Sequence, residues 1–460
     1  MVMVALLKET PASIDQMVKQ ARAAQRIYER FSQEQVDLIV KAVAKTVYDN
    51  AEMLAQMAVD ETGMGVYEDK VQKNKGKSQI IWHSLRGKKS VGIIERNEKT
   101  RVIAVAKPMG VVGSVTPVTN PIATPMSNAM FALKGRNAII VAPHPRAKAC
   151  SAKTIDLINQ AIIPLGAPAN LVQVVHEPST ALTGELMRLA DVVVATGGAG
   201  MVKSAYSSGK PAYGVGPGNV QVILDRGIDY AETAQKIIRG RAFDNGIICS
   251  CEQSVIIHED DYAQALKAFT DNGAYYVDKP EQAAALRRVL FKDRVINKLV
   301  VGQPVGKIAS LAGIPLPEGV KVLLVPSNGA DDDVLRLEKM CPVLAAFTYR
   351  QFDEAIAIAS QNLRLEGQGH SCAVHSLDQN HIEAVALALN TSRVVVNQAS
   401  SLAAGGSYFN GFSPTATLGC GSWGNNSISE NLGFKHLINI QRIGMPIADA
   451  KVPDYQELWA

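Results

Sequence analysis

Four apolar stretches decide the fold: Gly110-Val-Val-Gly-Ser-Val115, Ala138-Ile-Ile-Val-Ala142, Leu171-Val-Gln-Val-Val175 and Asp191-Val-Val-Val-Ala195, the last running into Thr196-Gly-Gly-Ala-Gly200. Each is short enough to be a buried strand. Each is followed by a helical pattern, at Asn120–Leu133, Ala147–Ile162, Ser179–Leu189 and Met201–Ser208. Short apolar strands alternating with helices predict a parallel sheet covered on both faces. A second α/β rhythm starts near Asp225–Ile228. Its helices fall at Tyr230–Arg239, Asp261–Asp271, Gln351–Ser360 and Gln379–Leu389. Its strands fall at Ser254–His258, Val320–Val325, Val343–Phe347, Ser371–His375 and Arg393–Asn397.

Outward from this core, the first 90 residues read helical. Ile14, Met17, Val18 and Ala21 share one face, as do Val36, Ile39, Val40, Val43 and Val47. Ser32 with Gln35 forms a capping pattern. Residues 92–107 alternate around Asn97-Glu-Lys99 and predict a two-stranded hairpin. From Gly405 to Gly424 the chain is rich in Gly, Ser, Thr and Asn, and reads as a long functional loop.

The 460 residues allow two or three domains, and 47% hydrophobic with 20% charged residues is a globular composition. No run approaches the roughly 18 apolar residues of a membrane span. The apolar start Met1–Lys8 lacks a basic flank and is not read as a signal peptide, so a cytoplasmic location is the expectation. A net charge of +4 is too mild to imply nucleic acid or an anionic membrane as partner. The clusters Lys70/Lys73/Lys75/Lys77 and Arg86/Lys88/Lys89 read as solvated helix ends. Six scattered cysteines make no disulfide framework, and the single Cys249/Cys251 pair makes a poor zinc site, so no metal is expected.

Four constellations can carry chemistry. The turn Thr196-Gly197-Gly198-Ala199-Gly200 leaves a strand and opens a helix, where free backbone N–H groups favour phosphate; a plain tight turn is the alternative. Cys249, after the turn signal Asn245-Gly246, reads either as a buried hydrophobe or as a nucleophile. Asn120, between prolines in Thr116-Pro117-Val-Thr-Asn120-Pro121, is either a helix cap or a donor to a developing oxyanion. His370, flanked by glycines, is either a loop histidine or a proton acceptor for a thiol or water. Gly214-Val-Gly-Pro-Gly218 precedes a strand and carries no dinucleotide-binding weight.

In this order, from about Tyr28 to the C-terminus, these pieces resemble the CoA-acylating aldehyde dehydrogenases. The most specific marks are Asp244-Asn-Gly-Ile-Ile-Cys249 with Glu252-Gln-Ser254, and Gly419-Cys-Gly-Ser-Trp-Gly424 with Asn426-Ser-Ile-Ser-Glu-Asn431 and His436-Leu-Ile-Asn439. Tyr48–Glu52 and Gly65–Lys70 resemble the CoA-dependent succinate-semialdehyde branch. The resemblance implies an aldehyde dehydrogenase fold of two Rossmann-like α/β domains with an oligomerisation hairpin. A cofactor domain would span 1–226 and a catalytic domain 227–425, with 426–460 returning to the cofactor and oligomerisation region. The hairpin and a strand near 443–453 would pair between subunits of a homodimer or homotetramer.

The resemblance also implies roles. Cys249 is the nucleophile rather than Cys251, which stands where the acylating motif usually has Ser. Asn120 binds the oxyanion, Glu338 touches the nicotinamide ribose and His370 lies near the thiol. Thr116, Pro117, Thr196, Gly197, Gly198 and Gly200 would meet the cofactor. Arg393 and Ser401 are candidates for binding the substrate.

Two departures sharpen the reading. Gly214 stands where hydrolytic relatives carry a glutamate base, which favours attack by the thiol of coenzyme A over attack by water. Many NAD-preferring relatives have Lys-Pro-Ala-Glu after the second strand; here the stretch is Ala142-Pro-His144-Pro145-Arg146, which favours NADP over NAD. The expected reaction is reversible oxidation of a short aldehyde to an acyl-CoA, succinate semialdehyde foremost, with sulfoacetaldehyde or acetaldehyde as alternatives. A hydrolytic dehydrogenase and an inactive nucleotide-binding protein are the rival readings.

Overall fold

The computed structural model describes residues 13–460; the Met1–Lys8 reading lies outside them. Four helices come first: α1 Ile14–Tyr28, α2 Gln33–Asp49, α3 Ala51–Thr62 and α4 Tyr67–Leu85. The apolar faces of α1 and α2 are buried as their periodicity predicts. Ser32 and Gln35 form the capping box at the start of α2.

The first body is a five-stranded parallel sheet of β3 Val111–Val115, β4 Ala138–Ala142, β5 Val172–Val174, β6 Val192–Thr196 and β7 Ala212–Val215, in the order β5-β4-β3-β6-β7. Its helices are α5 Ala123–Lys134, α6 Lys148–Ile162, α7 Thr180–Leu189 and α8 Ala199–Tyr206. The all-apolar strands have both faces covered, which accounts for their lack of alternation. The order reverses at β3, so β3 and β6 flank the point where open α/β sheets bind ligands.

The second body is a seven-stranded sheet in the order β10-β13-β14-β9-β8-β15-β16. Its strands are β8 Val220–Leu224, β9 Glu252–His258, β10 Ala274–Tyr276, β13 Val322–Pro326, β14 Val343–Tyr349, β15 Cys372–His375 and β16 Val394–Val396. A small hairpin of β11 Phe291–Lys292 and β12 Val295–Ile296 lies outside this sheet. Helix α9 Tyr230–Ala242 runs up to the Cys249 loop. Because β8 belongs to this sheet, the changeover between bodies lies in Gly216–Asn219, earlier than residue 226.

The hairpin forms as β1 Gly92–Asn97 and β2 Val102–Pro108, and β17 Ile438–Gly444 completes a three-stranded sheet. The C-terminal strand therefore ends at 444 instead of occupying 443–453. It pairs antiparallel with β2 of its own chain. Leu432 and Leu437 join the core of the first body, which returns the tail to it. No helix among the described residues is long and apolar enough to cross a membrane.

Candidate active site

The chain reaches Cys249 through a strained turn. Asp244 (φ 51°) and Asn245 (φ 52°) are left-handed, and Gly246 follows at φ 69°. Such a conformation is costly for residues with side chains and persists only where the surroundings hold it. Here α4 holds it. The buried Asp244 carboxylate accepts from Lys73 Nζ (2.6 Å), Lys70 Nζ (3.1 Å) and the Val66 N–H (2.9 Å). Asn245 Nδ2 donates to the carbonyls of Gly302 (3.0 Å) and Gly65 (3.3 Å). The lysine cluster read as solvated is thus largely structural. Lys70 is buried and shares Asp244 with Lys73, while only Lys75 pairs at the surface, with Glu52.

Cys249 and Asn120 line one cavity of about 560 Å³, together with Lys77, Phe243, Ile248, Ser401 and Thr415. Asn120 caps nothing: α5 begins at Ala123 with Ile122 as its cap, and the buried Asn120 Oδ1 has no partner. Its amide is therefore uncommitted to the fold. Cys251, by contrast, is fully buried, with its thiol donating to the Gly240 carbonyl (3.4 Å), and is a core residue. Burial, then the nearby Glu338, pushes the Cys249 thiol up to about 12, while Arg393 pulls it down. The resting thiol is thus protonated and needs a proton acceptor to become a nucleophile.

Gly218, which the sequence reading set aside, is packed against the nucleophile. A Cβ there would stand 1.9 Å from the Cys249 carbonyl oxygen and 3.4 Å from His370 Cε1. Its N–H donates to Glu338 Oε1 (3.2 Å). Cys249, Glu338 and His370 therefore converge on one glycine, and the Gly-Pro-Gly before a strand was the signal for it. Burial, then Glu366, raises the Glu338 carboxyl to about 8. Burial, then Arg393, lowers His370 to about 3, so its ring is neutral at pH 7. Nδ1 meets Ser371 Oγ (3.1 Å), and Nε2 is buried without a partner.

Gly214 has no room for a side chain. A Cβ would meet Val202 Cγ1 at 2.7 Å and Tyr206 Cε2 at 2.8 Å, so a glutamate there would collide with α8.

Arg393 does not serve the substrate. It is buried outside the cavity lining, and its N–H groups go to Ser371 Oγ, Asn431 Oδ1 and the carbonyls of His370 and Gly419. Four internal acceptors make it a brace for the His370 and Gly419 loops. Ser401 lines the cavity with a buried, unpartnered Oγ.

Most of the residues that the resemblance assigns to the nicotinamide cofactor lie at the carboxyl edge of the first sheet. Thr116 follows β3 and Thr196 ends β6, each with a buried, unpartnered Oγ1. Helix α8 starts at Ala199, two residues earlier than its pattern suggests, with Gly198 as a cap that has no side chain. No atom stands within 4 Å of a Cβ at Gly198 or Gly200, and at Gly197 only the Met201 side chain does. Orphaned hydroxyls and an open helix start suit a pyrophosphate. Exposed His144, Pro145 and Arg146 follow β4. The His144 ring is lowered by partial burial, then by Arg146 and Lys298, so beside Arg146 a second cation stands nearby that the local sequence did not reveal. Glu61 of α3 accepts from the N–H groups of Ala149 and Cys150 and closes the start of α6.

The aldehyde dehydrogenase family model matches residues 2–284 and 323–436. A succinate-semialdehyde dehydrogenase (acetylating) of Clostridium kluyveri is 55% identical over 448 residues, 97% of this chain and 99% of that one. A sulfoacetaldehyde dehydrogenase of an Acholeplasma species is 45% identical over 92% of this chain and 89% of that one. The crystal structure of an acetylating aldehyde dehydrogenase from Geobacillus thermoglucosidasius, 37% identical, superposes with a TM-score of 0.92 over 96% of this chain and 97% of that one. The chain is an oxidoreductase of the aldehyde dehydrogenase family, in its CoA-acylating branch.

Proposed function

We propose that the chain oxidises succinate semialdehyde to succinyl-CoA, reversibly, with NADP preferred to NAD. The observation that carries the chemistry is the cavity shared by Cys249 and Asn120, and a Gly214 without space for a side chain supports thiolysis over hydrolysis. The Cys249 thiol gives up its proton, which is the one the overall oxidation releases to solvent, and the thiolate adds to the aldehyde and forms a thiohemiacetal. The Asn120 amide and the Cys249 N–H steady the oxyanion. Thr116, Pro117, Thr196, Gly197, Gly198, Gly200 and Glu338 would hold the nicotinamide cofactor, which when bound accepts the hydride. The Cys249 thioester is then cleaved by the thiol of coenzyme A. His370, neutral and with Nε2 unpartnered, is suited to take that thiol's proton.

The anionic substrate is supported by the 55% identical relative and by a cavity lined by Lys73, Lys77, Lys236 and Arg239 with no Asp or Glu among its described residues. The sulfoacetaldehyde relative supports a second reading with another small anion. Cofactor reduction at 340 nm tests the reaction. Turnover of succinate semialdehyde should require CoA; turnover at the same rate without CoA would sink the thiolysis reading.

The NADP preference rests on His144, Arg146 and Lys298. Arg146→Ala should lower the ratio of kcat/KM for NADP to that for NAD by about tenfold, in line with one lost charge-assisted contact. A homo-oligomer is supported by the sheet of β1, β2 and β17. Its outer strands leave edges unpaired and expose Ile93, Ile440 and Ile443, and such a small sheet is stabilised by further pairing.

A further inference from the structure

The substrate cavity carries an ammonium group that the reaction scheme above does not use. Of the four lysines on α4 between 70 and 77, Lys70 and Lys73 are held by Asp244 and Lys75 by Glu52. Lys77 has no carboxylate partner among the described residues, yet it lines the cavity that contains Cys249. Its Nζ donates to the Gly405 carbonyl at 2.8 Å, leaving two of its three hydrogens free. A Cβ at Gly405 would lie 2.6 Å from Nζ, so any side chain there would displace the ammonium from its present place. The head group is therefore anchored at a set place and aimed into the cavity. Ser401 Oγ, buried and unpartnered, lines the same space.

The other cations are less suited. Lys73 is committed to Asp244, and Lys236 pairs with Glu232 at 2.8 Å. Arg239 stands where this cavity meets a second one of about 360 Å³. An ammonium withdrawn from water without a counter-ion is costly, and an anion carried in by the substrate relieves that cost.

We infer that Lys77, with Ser401 as a second donor, binds the terminal anion of the aldehyde and is the residue that selects anionic over neutral substrates. The inference deepens the proposed function and rests on it. Carboxylate and sulfonate share the chemistry, so the test carries both.

CoA-dependent turnover is measured for wild type, Lys77→Met and Lys77→Arg with succinate semialdehyde, sulfoacetaldehyde and butyraldehyde, the last being the neutral counterpart of the first. Lys77→Met should lower the ratio of kcat/KM for succinate semialdehyde to that for butyraldehyde by about 30-fold or more, the scale for losing one partner of a desolvated charge pair. Lys77→Arg should restore most of that ratio. The anion whose ratio to butyraldehyde falls further is the one the site is built for. A second readout is independent of turnover: succinate should slow alkylation of Cys249 by iodoacetamide in wild type and not in Lys77→Met. An equal fall for charged and neutral aldehydes would overturn the inference while leaving the acyl-transfer reading in place. Absence of CoA-dependent turnover with every aldehyde would overturn both.

Discussion

Replacing Cys249 with alanine is expected to lower CoA-dependent turnover by about 100,000-fold or more, the scale seen when a nucleophile that forms the covalent intermediate is removed. The thioester is the point at which the reaction divides into oxidation and acyl transfer, and no other thiol is placed to form it. Cys251, two residues on, is buried with its thiol on the Gly240 carbonyl, and Cys420 and Cys372 are also buried. Cys251→Ala should therefore keep its turnover and lose stability by about 1 kcal/mol, a small cavity in the core. The pair of variants separates a chemical role from a packing role. Turnover surviving in Cys249→Ala would end the assignment. Mass spectrometry after incubation with acyl-CoA supplies a second measure, with one acyl group expected on wild type and none on Cys249→Ala.

Asn120→Ala should reduce kcat by about 100- to 1000-fold with little change in KM, because an oxyanion donor acts on charge that develops only in the transition state. The geometry makes this test clean. Asn120 caps no helix and its buried Oδ1 has no partner, so the fold loses little when the amide goes. Thermal unfolding of the variant should stay close to wild type. A large fall in stability with unchanged kcat would make Asn120 a structural residue instead. Asn120→Asp should be no better than alanine, since an ionised carboxylate only accepts hydrogen bonds and repels the oxyanion.

What was legible beforehand has a common physical character. The apolar runs of β3, β4 and β6 announced buried parallel strands because both faces of such strands are covered. The Ser32–Gln35 box was readable because its two partners lie three residues apart. The hairpin of β1 and β2 followed from alternation around a short turn. The family motif around Cys249 was also continuous in the chain, although its spacing alone left nucleophile and buried hydrophobe both open.

What escaped the sequence depends on partners far along the chain. Lys70 and Lys73 read as solvated because their counter-ion, Asp244, lies 174 and 171 residues away. Only the packing of α4 under the Cys249 loop brings them together, and it turns a charged stretch into a buried support while leaving Lys77 without a carboxylate. Arg393 read as free to meet a substrate, but loops from 370, 419 and 431 close around its guanidinium. Gly218 carried no weight in sequence, since its significance is the Cys249 carbonyl pressed against it from another loop. That the C-terminal strand also pairs with β2 of its own chain, more than 300 residues back, was not visible in sequence. The sequence by itself determined the strand and helix periods, the local caps and the motif that bears the thiol, because these are set by neighbours within a turn or two. Tertiary structure alone decided which charges face the cavity and which are neutralised, because burial and counter-ions are properties of the packed chain.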